Sequence, residues 1–321
     1  MRPVTVTCGG LAASSATKIS LSQSVPDGTA IVIDGAASSG YSATSIATTT
    51  GNGASTTTVT LNGSLVSGGV AYLATPSQVV LVSAGNDSGK TWTVTGILSD
   101  GITSKIETVA AANASRVATK SVFGKVSSIK LSSGSAGNVS AGTNGIATLD
   151  KPREVLFTSG GTDTGITFTI TGTDWAGLSQ SETVTGGSSG SPVATILDYL
   201  KVTSIVASGA TASTLTVGTN GVSGAYWVLL DQWASKGCGI QITVSGTVNY
   251  TIQSSFDNPN APSQLSASQV TWQNSQDSNV VGQIASAQTA YTYTPLFVRC
   301  LINSGTGTAT VTVTQAMNAP F

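Results

Sequence analysis

Two stretches of this sequence repeat one another at a spacing of 76 residues, and that repeat limits the folds open to the chain more than any other feature. Pro76-Ser77-Gln78-Val79-Val80-Leu81-Val82-Ser83 is answered by Pro152-Arg153-Glu154-Val155-Leu156-Phe157-Thr158-Ser159. Thr91-Trp92-Thr93-Val94-Thr95-Gly96 is answered by Thr167-Phe168-Thr169-Ile170-Thr171-Gly172. After a one-residue adjustment Glu107-Thr108-Val109 meets Glu182-Thr183-Val184, and Lys125-Val126-Ser127-Ser128-Ile129 meets Lys201-Val202-Thr203-Ser204-Ile205. Both units close on Gly-Thr-Asn-Gly, at 142–145 and 218–221. So many matches in register mark a duplicated module, and the same small unit must be built twice.

The period inside each unit is two. Thr91 to Thr95 and Thr167 to Thr171 alternate threonine with apolar residues, the pattern of a strand with one face buried. Runs of about 5 such residues, with Gly, Asn, Asp and Ser clusters every 8–12 or so, indicate a β-sandwich. The Asn-Gly pairs at 62–63, 144–145 and 220–221 read as type I′ hairpin turns. The expected fold is all-β: tandem immunoglobulin-like sandwich modules, two of them the duplication, followed by a different C-terminal sandwich. The boundaries fall at 1–68 for an N-terminal β module or docking arm, 69–144 and 145–231 for the repeats, and 232–321 for the last module. In the first segment strands are expected at 2–7, 29–34 and 56–61. In the last, hairpins are expected around Ser245-Gly246 and around Asn303-Ser304-Gly305-Thr306-Gly307. The stretch 257–290 between them reads as a long surface loop with a short helix near 280–289.

Composition narrows the function. Of 321 residues only 8% are charged, against roughly 25% in an average soluble chain, while 40% are hydrophobic. A surface of hydroxyls and amides re-pairs readily across an interface, so the chain reads as one that packs against copies of itself or other proteins. With 13 basic residues, 14 acidic ones and no cationic run, phosphate neutralisation on a nucleic acid is not expected. No apolar run approaches the ~18 residues of a spanning helix, so no membrane association is expected. The opening Met1-Arg2-Pro3-Val4-Thr5-Val6-Thr7 lacks the apolar core of an export signal, which points to synthesis in a cytoplasm. Cys8, Cys238 and Cys300 are too widely spaced for a disulfide framework or a zinc site and read as buried free thiols.

Catalytic chemistry finds few candidates. The chain has no histidine, which removes Ser-His-Asp and Cys-His nucleophile systems and histidine-ligated metals. Ala84-Gly85-Asn86-Asp87-Ser88-Gly89-Lys90-Thr91 matches a relaxed phosphate-loop pattern, but that loop needs a helix after the lysine, and a strand is expected there. The acids stand singly in turns (Asp87, Asp100, Asp163, Asp257), where aspartate caps its own backbone; one acid per loop is thin for calcium. No enzyme, cofactor or metal is therefore expected. Among the aromatics, Trp92 reads as core, Tyr226, Trp227 and Trp233 as packing at the junction before the last module, and Trp272, Tyr291 and Tyr293 as a possible partner or glycan contact.

Several phrases together resemble virion structural proteins of tailed bacteriophages, the short-tailed type in particular: the opening residues 1–7, Pro152 to Gly161, Ile166 to Asp174, Gly246 to Gln253, Phe297-Val298-Arg299 and Gly305-Thr306-Gly307. The likeness spans roughly residues 1–10 and 69–321 and consists of fold phrases without an active site. It implies a non-enzymatic subunit of the particle, a head-decoration, neck or tail accessory protein. Such a subunit is made in the host cytoplasm and assembled as a symmetric homo-oligomer with copies of itself and other virion proteins. The alternatives are a host-adsorption protein that binds a cell-surface glycan through the C-terminal module, and an exported bacterial adhesin.

Overall fold

The computed structural model describes residues 3–50, 57–224, 226–233, 236–258 and 270–315. The N-terminal segment carries β1 (Val4–Gly9), β2 (Ser20–Gln23), β3 (Ser38–Ser39), β4 (Ala47–Thr50), β5 (Thr58–Val59) and β6 (Val66–Ser67). The first repeat follows as β7 (Val70–Ser83), β8 (Thr91–Leu98), β9 (Ser104–Ala110), β10 (Arg116–Leu131) and β11 (Val139–Thr143). The second is β12 (Ile146–Ser159), β13 (Thr167–Thr173), β14 (Ser179–Thr185), β15 (Val193–Ala207) and β16 (Leu215–Gly224). The last module comprises β17 (Val228–Leu229), β18 (Cys238–Ser245), β19 (Val248–Ser255), β20 (Gln273–Asn274), β21 (Ala287–Tyr291), β22 (Phe297–Gly305) and β23 (Thr308–Thr314). All pairings between these strands are antiparallel, and the architecture is an all-β sandwich.

The two repeats share one strand order, β11-β7-β10-β8-β9 and β16-β12-β15-β13-β14. In each, one long strand serves both layers. β10 pairs with β7 from Arg116 to Val122 and with β8 from Phe123 to Leu131. β15 likewise pairs with β12 up to Val202 and with β13 from Lys201 onward. Such a strand must bulge where it changes partner, and a bulge leaves amides outside the ladder. A glutamate collects them: Glu107 accepts from the N–H groups of Lys120 and Ser121, and Glu182 from those of Ile196 and Leu197. Thr119 Oγ1 accepts from Val79 N–H at 2.9 Å, and Thr195 Oγ1 from Val155 N–H at 2.9 Å. Side chains alternating into the space between the layers build one core around Trp92, Phe123 and Ile129 and another around the stacked rings of Phe157 and Phe168, 4.9 Å apart.

The close approach of β8 to β10 requires glycine. A Cβ on Gly96 would lie 2.1 Å from the Lys125 carbonyl oxygen, and one on Gly172 would lie 2.0 Å from that of Lys201. Gly96→Ala and Gly172→Ala are each expected to cost about 1–3 kcal/mol, read as a lowered urea midpoint, with a similar loss at both positions.

The segment 1–68 differs from the separate module or docking arm expected of it. It runs along the whole molecule and adds residues to every core. β1 pairs with β23 of the last module, β2 and β3 with β16 and β12, and β4 and β5 with β11 and β10. The strand expected at 29–34 is an extended stretch wedged between the repeats. Ala30 N–H donates to Ala118 O and Ile31 N–H to Ile205 O, so the backbone serves two sheets and forms no ladder with either. Ala30 and Val32 face the first repeat while Ile31 and Ile33 enter the second core, which explains four apolar residues in a row. Of the strand expected at 56–61, Thr58–Val59 forms; residue 56 lies outside the described residues.

Two further expectations are corrected. The helix near 280–289 is instead a 3-10 turn at Ser278–Val280 followed by β21, because Ala287 to Tyr291 finds a ladder on Ile242 to Cys238. None of the three Asn-Gly pairs is a type I′ turn, since none of their residues has positive φ. Asn220-Gly221 lies within β16, and Asn62 and Asn144 use their amides to bind other segments. The third core lies between the sheet β1-β23-β18-β21 and the strands β19 and β22. β22 in turn pairs with β16 through Ser223↔Ile302 and Gly224↔Leu301, so the sheet of the second repeat continues into the last module.

Candidate functional site

Charged and aromatic side chains concentrate at that continuation. β22 places Phe297 and Arg299, β15 places Asp198, β12 places Glu154 and β14 places Glu182. Trp227 follows β16, and its ring is edge-on to Trp272 at 5.0 Å and to Phe297 at 5.6 Å, with Trp175 at 6.2 Å and Tyr226 edge-on to Trp175. The Arg299 guanidinium lies over the Trp272 ring at 4.3 Å, donates from Nε to Gln253 Oε1 at 2.8 Å and reaches Asp198 Oδ2 at 3.4 Å. The Asp198 and Arg299 side chains are 11% and 13% exposed, so this is a desolvated pair.

Burial pushes the Asp198 carboxyl up to about 6, with Glu182 adding to the rise and Arg299 and the Gly224 N–H opposing it. Burial also raises Glu154, against the hydrogen bond from Asn220, while Asp198 and Glu182 add to the rise. Together these groups hold one cation on one face of an indole. The cavity they enclose is about 80 Å³, lined by Trp175, Trp227, Trp272, Asp198 and Arg299 among others. With the cation already supplied by Arg299, the arrangement braces a joint.

The three residues singled out as a contact do not share one surface. Trp272 is turned into the joint. Tyr291 is buried in the third core, its hydroxyl against the Ser254 and Ser275 side chains without a hydrogen bond of full geometry. Tyr293 packs on Tyr291 at 5.3 Å and on Phe256 at 5.6 Å. It lines an open groove of about 560 Å³ with Phe256, Asp257, Gln273, Asn274 and Gln276. Phe256 is 66% exposed there. Tyr226 and Trp227 pack at the junction, as anticipated, but Trp233 projects with 92% of its surface exposed.

The remaining candidates are committed to the fold. Lys90 Nζ donates to Asp87 Oδ1 at 2.7 Å and to Gly134 O, and β8 follows it in place of a helix. Asp87 also accepts from Ala136 N–H and Ser83 Oγ. Burial works against ionisation of Asp87, yet the bonds from Lys90, Ser83 and Ala136 outweigh it and hold the carboxyl below its usual range. Asp163 does the equivalent work in the second repeat, accepting from Ala212 N–H at 2.7 Å. Among the described residues no three acidic or thiol side chains converge as metal ligands.

The Arg299–Asp198–Glu154 cluster was not anticipated from the sequence, although a signal for it exists. Glu154 stands where the first repeat has Gln78, and Asp198 where it has Val122; charge appears in the copy that adjoins the last module. No protein-family model matches the chain, and neither does any curated protein.

Proposed function

We propose that this chain is a non-enzymatic structural subunit of a tailed-bacteriophage particle, in the head decoration, neck or tail, acting through protein–protein contacts as a symmetric oligomer. The observation that carries this reading is a pair of open sheet edges. β9 ends the eight-stranded sheet and β14 ends the eleven-stranded one, each bonded on one side to its neighbour. An open antiparallel edge is a template for pairing with another chain. The turn leading into each edge strand offers an apolar residue to solvent at the same repeat position: Ile102, 85% exposed, and Leu178, 55% exposed. Ile106, on β9 itself, is also exposed. Two like edges on a rigid body suit repeated weak contacts multiplied by symmetry.

The double substitution Ile102→Lys with Leu178→Lys tests this. Circular dichroism and the thermal midpoint should stay as in the parent, since both side chains lie in solvent. Incorporation into particles, quantified per purified particle, is expected to fall at least about tenfold, the effect of about 1.4 kcal/mol lost at each contact. Full incorporation of the folded variant would remove the edges from the account. The groove at Phe256 and Tyr293 favours a second reading, attachment to a cell-surface glycan, because it joins exposed aromatic rings to amide and carboxylate groups. A glycan array probed with the whole chain separates the two.

A further inference from the structure

Cys8 lies near the end of β1, the outer strand of the four-stranded sheet, opposite Ala309 of β23. Cys300 lies on β22, in the facing sheet, opposite Ile252 of β19. β1 and β22 have Cα atoms within 8 Å of one another across the sandwich. Both side chains are buried in the same core cluster, and the neighbouring Cys8 thiol, together with burial, pushes the Cys300 thiol well above its usual range. The third thiol, Cys238, sits two strands from β1 in the same sheet, opposite Tyr291.

We propose that Cys8 and Cys300 form a cross-linking site, at which thiol–disulfide exchange with a small disulfide such as oxidised glutathione installs a bond between the two sheets. One cysteine thiolate attacks the small disulfide, forming a mixed disulfide and releasing one small thiol. The other cysteine then attacks the mixed disulfide at the protein sulfur and releases the second. Two protein thiols are oxidised, one small disulfide is reduced to two small thiols, and the protons of the cysteines pass to those products. Both side chains enter one core from strands whose Cα atoms come within 8 Å of each other, so a bond about 2 Å long can close between them without moving the strands past one another.

Access is set by β1. It is bonded on one side, to β23, and its detachment uncovers both sulfurs. Once made, the bond ties the first strand of the chain to the last module and closes a loop over nearly the whole sequence, which restricts the unfolded chain strongly. It also prevents β1 from leaving its place beside β23, whatever neighbours the chain assembles with. The proposal stands apart from the particle reading.

The whole chain is incubated with oxidised glutathione in urea below its unfolding midpoint, where β1 opens, and then returned to buffer. The thiol titre is expected to fall from three to one, and the mass by about 2 Da, the two thiol hydrogens. Peptide mapping should join Cys8 to Cys300. The thermal midpoint should rise by about 5 °C or more and return on reduction. Cys238→Ala should behave as the parent, and Cys8→Ala and Cys300→Ala should each remain uncross-linked. Three thiols persisting, a glutathione adduct that never resolves, or a link through Cys238 would each overturn the assignment.

Discussion

Replacing Arg299 with methionine is expected to cost about 3–5 kcal/mol at pH 8 and only about 1–2 kcal/mol at pH 4.5. The difference comes from Asp198. In the folded chain its carboxyl titrates at about 6, against an ordinary value of 3.8. Well below pH 3.8 the group is neutral in both folded and unfolded chains and takes no toll. As pH rises through about 4 to 6 the unfolded chain releases the proton first, so stability falls, by about 2 kcal/mol over that window and about 3 kcal/mol once pH is well above 6, for this one group. At pH 8 the folded carboxylate relies on Arg299, because Glu182 repels it and Glu154 beside it is a second acid, not a cation. Without Arg299 a buried anion is left with the Gly224 N–H alone. At pH 4.5 the same substitution removes the stacking on Trp272 and the bond to Gln253 from around an uncharged partner. Denaturant titrations of parent and variant at the two pH values check this. Asp198→Asn serves as the companion, and it should flatten the fall in stability between about pH 4 and 6.

That joint shows what a sequence of this kind reveals and what it conceals. The strands of the repeats are legible because alternation of threonine with apolar residues is a local pattern, and duplication states it twice. The strands β18, β19, β22 and β23 were legible for the same reason, but the hairpins expected around Ser245-Gly246 and Asn303 to Gly307 do not form. Each turn crosses the core, so that β18 and β23 pair in one sheet and β19 and β22 in the facing one, a choice of partner that local alternation does not encode. Arg299 and Asp198 are 101 residues apart and belong to strands that meet only because β16 pairs with β22, a long-range fact that no local pattern carries. The stretch Ile284 to Ala290 is rich in alanine, and local propensity favours a helix; a ladder on β18 outweighs that preference, which amounts to a few tenths of a kcal/mol per residue. The segment 1–68 is the hardest case. Its apolar residues satisfy three different cores in turn, so no periodicity longer than a few residues survives in it.

Asn144 offers the second large effect, and it turns on a signal that local reasoning assigns to a turn. Its side chain is buried and joins three parts of the chain. Oδ1 accepts from Ile33 N–H at 2.7 Å and from Gly145 N–H at 3.0 Å; Nδ2 donates to Ile31 O at 3.1 Å and to Gln78 Oε1 at 2.8 Å. Gln78 in turn donates to Ser204 of the second repeat at 2.9 Å, so one amide pair pins the N-terminal segment between both repeats. Asn144→Ala leaves the Ile33 N–H and the Ile31 carbonyl buried without those partners, where water cannot replace them, and should cost about 3–4 kcal/mol. A thermal midpoint lowered by about 6–12 °C is the corresponding readout. Asn144→Asp keeps the shape but sets an oxygen against the Ile31 and Gln78 oxygens, and should cost nearly as much above the carboxyl's titration range. The matched position, Asn220, donates to Glu154 Oε2 and accepts from Val222 N–H beside solvent. Asn220→Ala should therefore cost about 1 kcal/mol or less. An equal loss at the two positions would mean that the asparagine acts within each repeat, and that the wedge of residues 29–34 is held by apolar packing alone.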